Sequence, residues 1–176
     1  MISFYKNIGL YENTHFNSEM NRIDFVESLK KITYKTNSSF ISFIPDNGIP
    51  TRFEYRGIVN NNNFTIKRRL HFFDFNILHS IIKGNITEEN DRIDIRIQFI
   101  PFIPHFIAFI FVFLFSLFIV IQILKDENNY FIIIIPAIIA TVQYFVLKRS
   151  LKRDKYDFIR ELNLISTKNN QFKKFK

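Results

Sequence analysis

HFIAFIFVFLFSLFIVIQIL, residues 105–124, and YFIIIIPAIIATVQYFVL, residues 130–147, are separated by Lys125, Asp126, Glu127, Asn128 and Asn129. The first run lies in a charge-free stretch that begins at Ile97. Twenty helical residues at about 1.5 Å each reach about 30 Å, the thickness of a bilayer's hydrocarbon core. A buried hairpin of a soluble protein is the alternative. A chain of 176 residues has too little other material to wrap two helices that are apolar on every side. The reading is a transmembrane helical hairpin over 104–147, with spans at 105–124 and 130–147, made antiparallel by its short polar link. Pro136 would kink a soluble helix, but membrane helices re-satisfy the freed carbonyl through their neighbours.

Basic residues near the ends of spans set orientation. The link carries one Lys and two acids, whereas the tail from Lys148 carries ten basic and three acidic residues. The tail is therefore expected on the cytoplasmic side, and two spans return the amino-terminal region to that side as well. Ser116, Gln122, Thr141 and Gln143 are the polar residues within the runs. They are uncharged, which suits helix-to-helix hydrogen bonding or interfacial placement better than an ion path. His105, next to Pro104, is expected at the interface. The first twenty residues hold acids and no continuous apolar stretch, unlike a secretory signal or transit peptide.

Before the spans, residues 1–100 read as one cytoplasmic α+β domain. In 17–31 (NSEMNRIDFVESLKK) the apolar positions Ile23, Phe25, Val26 and Leu29 have helical spacing. Ser18 is the expected N-cap, and Lys30 and Lys31 close the last turn. The period then changes to two. Phe53, Tyr55, Gly57 and Val59 alternate with Arg52, Glu54, Arg56 and Ile58, and Asn60–Asn63 supplies turn residues before Phe64 and Ile66. That is a hairpin pattern. A second pair runs over 79–87 and 92–99, where Ile93, Ile95, Ile97 and Phe99 alternate with Asp94, Arg96 and Gln98. Such alternation gives one buried and one solvated face. The patch 40–44 could add a strand. The expected fold is thus a small, mainly antiparallel sheet with one or two helices, joined through Pro101 and Pro104 to the first span and so held close to the bilayer.

In 148–165 (KRSLKRDKYDFIRELNLI) Leu151, Phe158, Leu162 and Ile165 have helical spacing among basic residues. Residues 148–176 read as a basic amphipathic helix continuing the second span, with a flexible end from Thr167. Its charge follows from the positive-inside rule alone; anionic lipid binding would add about 1 kcal/mol per basic residue near the surface.

Chemistry-bearing motifs are sparse. The chain has no cysteine, which excludes disulfides, thiolate metal sites and a cysteine nucleophile. Lys67, Arg68, Arg69 and His71 suggest phosphate recognition. The region before the spans, however, holds 13 basic and 11 acidic residues, so it offers no broad basic face for nucleic acid. His71, Asp74 and His79 are the notable acid-base group, but their spacing is not a zinc pattern. Gly57 and Gly84 are isolated and suit close packing in strands. Three sequons at Asn37, Asn63 and Asn85 have no consequence on the cytoplasmic side. No catalytic, cofactor-binding or metal-binding residue follows from the sequence.

A helix ending in LKKIT (29–33), a strand pair around YRGIVNNNNFTI (55–66), a second pair around IIKGNI and RIDIRIQF, and a membrane hairpin together resemble small uncharacterised bacterial membrane proteins. The resemblance implies a β-rich domain on a two-helix anchor in the bacterial inner membrane, and no activity. The expected function is a non-enzymatic, membrane-anchored module that binds a partner protein or the membrane surface. Tyr55, Arg56, Lys67, Arg68 and Arg69 are the surface contacts to test. The alternatives are an enzyme acting on lipid or envelope precursors through His71, Asp74 and His79, and an accessory subunit of a membrane assembly. The bilayer and a membrane or cytoplasmic protein are the expected partners.

Overall fold

The computed structural model describes residues 2–36, 45–70, 79–89, 92–125 and 134–174. Its elements in chain order are α1 (Ile2–Asn7), β1 (Glu12–Ser18), α2 (Arg22–Ile32), β2 (Thr33–Lys35), β3 (Tyr55–Val59), β4 (Asn63–Arg68), β5 (Ser80–Glu89), β6 (Arg92–Pro101), α3 (Ile103–Lys125) and α4 (Ile134–Lys174). A single 3-10 turn, Asp46–Gly48, precedes β3.

The six strands form one mixed sheet in the order β1-β6-β5-β4-β3-β2, and its β2–β3 pair is parallel while the others are antiparallel. The two hairpins expected from alternation are present. Between β3 and β4 the Asn60 N–H donates to the Asn63 carbonyl at 2.8 Å. The alternation in β6 aligns Ile93, Ile95, Ile97 and Phe99 on one face, where all four are buried. Gly84 is required in β5 because the Phe64 ring lies over it, and a Cβ there would collide with the ring. Gly57 has φ +147°, and a Cβ on it would strike the Thr65 carbonyl.

One face of the sheet is covered by α2 and by the second half of α4. Phe25, Val26 and Leu29 of α2 join Leu147, Leu151, Phe158 and Leu162 of α4 in the core. The Phe158 ring lies 5.4 Å from Tyr55, 5.8 Å from Phe64 and 6.3 Å from Phe99, centroid to centroid. Edge-on packing of this kind adds to simple burial. Along α4, Lys155 reaches Glu12 of β1 at 3.0 Å and Ser166 meets Ser18 at 2.8 Å, while Arg68 of β4 reaches back to Asp157 at 2.8 Å. The helix is therefore fastened across the sheet from its β1 edge to β4.

Several expectations need correction. The helix expected over 17–31 starts at Arg22, and Asn21 is its cap, accepting from the Asp24 N–H at 2.7 Å. Ser18 instead ends β1, an edge strand the sequence reading did not anticipate. Ile23 is 69% exposed rather than part of the buried stripe. The tail is helical through Lys174 rather than flexible from Thr167. The possible strand at 40–44 and the start of the second apolar run at 130–133 lie outside the described residues.

Among the described residues one stretch, Ile103–Gln122, is long and apolar enough to cross a membrane, with mean hydropathy 2.6. Phe111, Leu114, Phe115 and Phe118 on it are all more than half exposed. It packs against α4, and its first residues lie beside Leu147, Ser150 and Leu151.

Candidate functional site

Where the sheet meets the root of α3, polar groups gather in the interior. β5 opens with His79 just before it and Ser80 as its first residue, both buried, and α4 brings Asp154 against them at 2% exposure. Asp154 accepts the Ser80 main-chain N–H at 2.5 Å and the Ser80 hydroxyl at 2.7 Å through Oδ2. The His79 Nδ1 stands 3.4 Å from Oδ1. A carboxylate so deep needs such donors, because an unpaired one would be heavily penalised. A cavity of about 10 Å³ adjoins the cluster, lined by His79, Ser80, Phe102, His105 and Ser150. That volume holds about one water. The Ser150 hydroxyl is buried there without a hydrogen-bond partner among the described residues.

Serine, histidine and aspartate together invite comparison with a nucleophile-base-acid relay. In such a relay the serine donates to the imidazole and the imidazole to the carboxylate. Here the Ser80 hydroxyl donates to the carboxylate itself, so its proton is not directed to a base. The cluster acts as a tether that fixes α4 to the first rung of β5.

Of the residues expected as surface contacts, Tyr55 is 1% exposed and Arg69 is 5% exposed. Tyr55 packs on Phe158, and burial raises its hydroxyl pKa. Arg69 donates through Nη1 to the Ile49 carbonyl at 2.6 Å. Arg56 pairs with Asp46, and Arg68 with Glu54 at 3.1 Å as well as with Asp157. Tyr55 and Arg69 are thus buried rather than on the surface, and Arg56 and Arg68 are ion-paired within the fold. Lys67 stands against the root of α3, its ammonium 4.2 Å from the centre of the Phe102 ring. Burial lowers the Lys67 pKa, opposed by the Asp46 carboxylate. Burial alone would raise Asp46, but the Leu70 N–H, Arg56 and Lys67 outweigh it and hold its carboxyl below the ordinary range.

His71 and Asp74 lie outside the described residues, so of the expected acid-base group the structure places His79 alone, against Asp154. Asp154, Ser80 and Ser150 were missed by sequence reasoning. A signal was available: Asp154 falls three residues after Leu151 and four before Phe158, on the stripe that α4 buries. No group of three or more metal-ligating side chains converges among the described residues. No protein family, curated protein or solved structure matches the chain.

Proposed function

We propose that the chain is a non-enzymatic binding module of the bacterial inner membrane, with α3 and the first half of α4 as a two-span hairpin and both termini cytoplasmic. The observation that carries this reading is the division of α4. Ile135, Ile138, Ile139, Val142, Phe145 and Val146 are exposed apolar side chains, whereas Leu147, Leu151, Phe158 and Leu162 of the same helix are core residues of the sheet domain. Exposed apolar surface on this scale is sustained by lipid or protein, not water. Lys148, Arg149, Lys152, Arg153 and Lys155 follow immediately, as the positive-inside rule requires of a cytoplasmic flank. Because anchor and core helix are one element, the sheet cannot swing freely at the membrane, and a partner meets it in one orientation. The Ser80 hydroxyl, committed to Asp154, supports binding over catalysis.

Topology is tested with single cysteines in a chain that has none of its own. Lys152 is exposed, and Asn128 belongs to the link. The expected result is that an impermeant maleimide labels N128C on intact cells and K152C only after permeabilisation. Labelling of both from the same side would exclude the two-span arrangement. Partner binding is tested by purifying the tagged protein from native membranes in mild detergent. A protein recovered at fixed stoichiometry supports a protein-binding module, and lipid alone contradicts protein binding in favour of the membrane surface or lipid chemistry.

A further inference from the structure

α1 is six residues long, too short to persist as a helix in water by itself. Packing against α3 and α4 holds it. The Tyr5 ring stands edge-on to Phe106 of α3 at 5.0 Å between centroids, and the Tyr144 hydroxyl of α4 donates to the Ile8 carbonyl at 3.0 Å. Gly9 closes the helix in the left-handed region, at φ +69°. There the Gly9 N–H donates to the Lys6 carbonyl at 3.1 Å and the Leu10 N–H to the Tyr5 carbonyl at 2.9 Å, the paired bonds of a Schellman turn. Tyr5 and Leu10, brought together by that turn, are both buried.

At about 3.6 residues per turn, Ile2, Phe4, Tyr5 and Ile8 share one side of α1, and Ser3, Lys6 and Asn7 share the other. The apolar side is only partly covered: Tyr5 is 2% exposed, whereas Phe4 is 51% exposed and Ile2 is exposed as well. Its open part continues a larger apolar surface. Phe4 stands 6.1 Å from Phe106, Phe106 6.3 Å from Phe109 and Phe109 6.4 Å from Phe113, centroid to centroid. This ladder of rings runs from α1 along α3 to Phe113, which is exposed in turn.

We propose that α1 is an in-plane membrane helix, with Ile2 and Phe4 seated in the lipid of the cytoplasmic leaflet where headgroups meet acyl chains. This rests on the two-span reading above. The depth follows from the contacts of α1: Phe106 is the second residue of the first span and Tyr144 lies three before the end of the second, so both are within about 5 Å of the hydrocarbon edge. Amphipathic helices lying in the interface bury their apolar face by about 5–10 Å. The sheet register agrees. β1 follows α1, and its Glu12 stands opposite Phe99, two residues before β6 ends at Pro101 and the chain enters α3. The Lys148 and Lys6 ammonium groups stand over the Tyr144 and Tyr11 rings at 5.7 and 5.0 Å, both residue types that gather at a cytoplasmic membrane boundary. Lipid rather than a protein is the occupant because the surface to which Phe4 belongs is continuous with that of the span. Held by α1 as well as by the two spans, the sheet has a fixed tilt at the membrane.

The chain contains no tryptophan, so a single introduced one reports its own depth. F4W, I2W, L114W and K152W are placed one at a time in the full chain and reconstituted in vesicles of phosphatidylcholine brominated either near the headgroup end or near the methyl end of its acyl chains. The expected result is that F4W and I2W are quenched more by the shallow bromines than by the deep ones, L114W more by the deep ones, and K152W by neither. Circular dichroism melts verify that each variant folds, and I2W carries the test if F4W does not. Quenching of L114W without quenching at positions 2 and 4 would overturn the proposal and leave the spans standing. Quenching at none of the positions would overturn the spans and the proposal together. Deep bromines quenching F4W as strongly as shallow ones would also overturn it, because α1 would then cross the leaflet rather than lie in its plane.

Discussion

The two parts of α4 are continuous in backbone, yet they solve opposite problems. Residues 134–146 are mostly apolar and leave Ile135, Ile138, Val142 and Phe145 exposed. In residues 147–165 the buried apolar groups, Leu147, Leu151, Phe158 and Leu162, form one stripe with charged residues between them, while Tyr156 and Leu164 stay exposed. On the proposed topology the first part meets lipid; the second packs on the sheet. Side chains of similar size therefore carry very different energetic weight according to what stands opposite them.

The largest effect is expected at Phe158, whose ring touches three others. F158A should destabilise the sheet domain by about 3–5 kcal/mol, as large core truncations do, measured by denaturant unfolding of the detergent-solubilised protein. The matching change in the other half, F145A, should alter the same transition by less than about 0.5 kcal/mol. Similar losses at the two positions would abolish the distinction between the halves.

A charge probes the proposed anchor where truncation does not. L114R should oppose insertion by about 2.5–3.5 kcal/mol, read as protein shed from membranes by alkaline carbonate. Next in size is G57A, expected to cost about 1–3 kcal/mol because a Cβ would strike the Thr65 carbonyl.

The smallest effect is a pH dependence. Asp46 has its carboxyl held below the ordinary range when folded. Its contribution is present above its unfolded pKa, about 4, and is lost as pH falls through the lower folded value. The melting temperature of the wild type should therefore fall more steeply below about pH 4 than that of D46N.

The fold was legible where side chains alternate strongly. In β6 isoleucine and charge trade places at each step, and Asn60–Asn63 marked the turn between β3 and β4. β1 was illegible because ENTHFNS shows little contrast: its inward residues include Glu12 and Ser18, which meet polar groups on the rim of α4, Lys155 and Ser166. β2 is three residues long and begins where α2 ends, too short to set a period. Local charge concealed the polar cluster. Asp154 sits between Arg153 and Lys155 and reads as part of a solvated tail, although its position on the stripe of Leu151 and Phe158 marks it as inward. Tyr55, Arg56, Arg68 and Arg69 read alike as surface residues because sequence reports charge and not pairing; the structure buries Tyr55 and Arg69 and pairs Arg56 with Asp46 and Arg68 with Glu54 and Asp157.

The most direct test of the central claim is a spin-label scan along α4, one position at a time from Ile135 to Ser166, reading oxygen and nickel-chelate accessibility in reconstituted bilayers. The account predicts oxygen access and no chelate access at outward positions through Val146. From Lys148 onward it predicts chelate access with helical period, interrupted at Leu151, Asp154, Phe158 and Leu162. Chelate access at outward positions on both sides of Leu147, without a break, would contradict it.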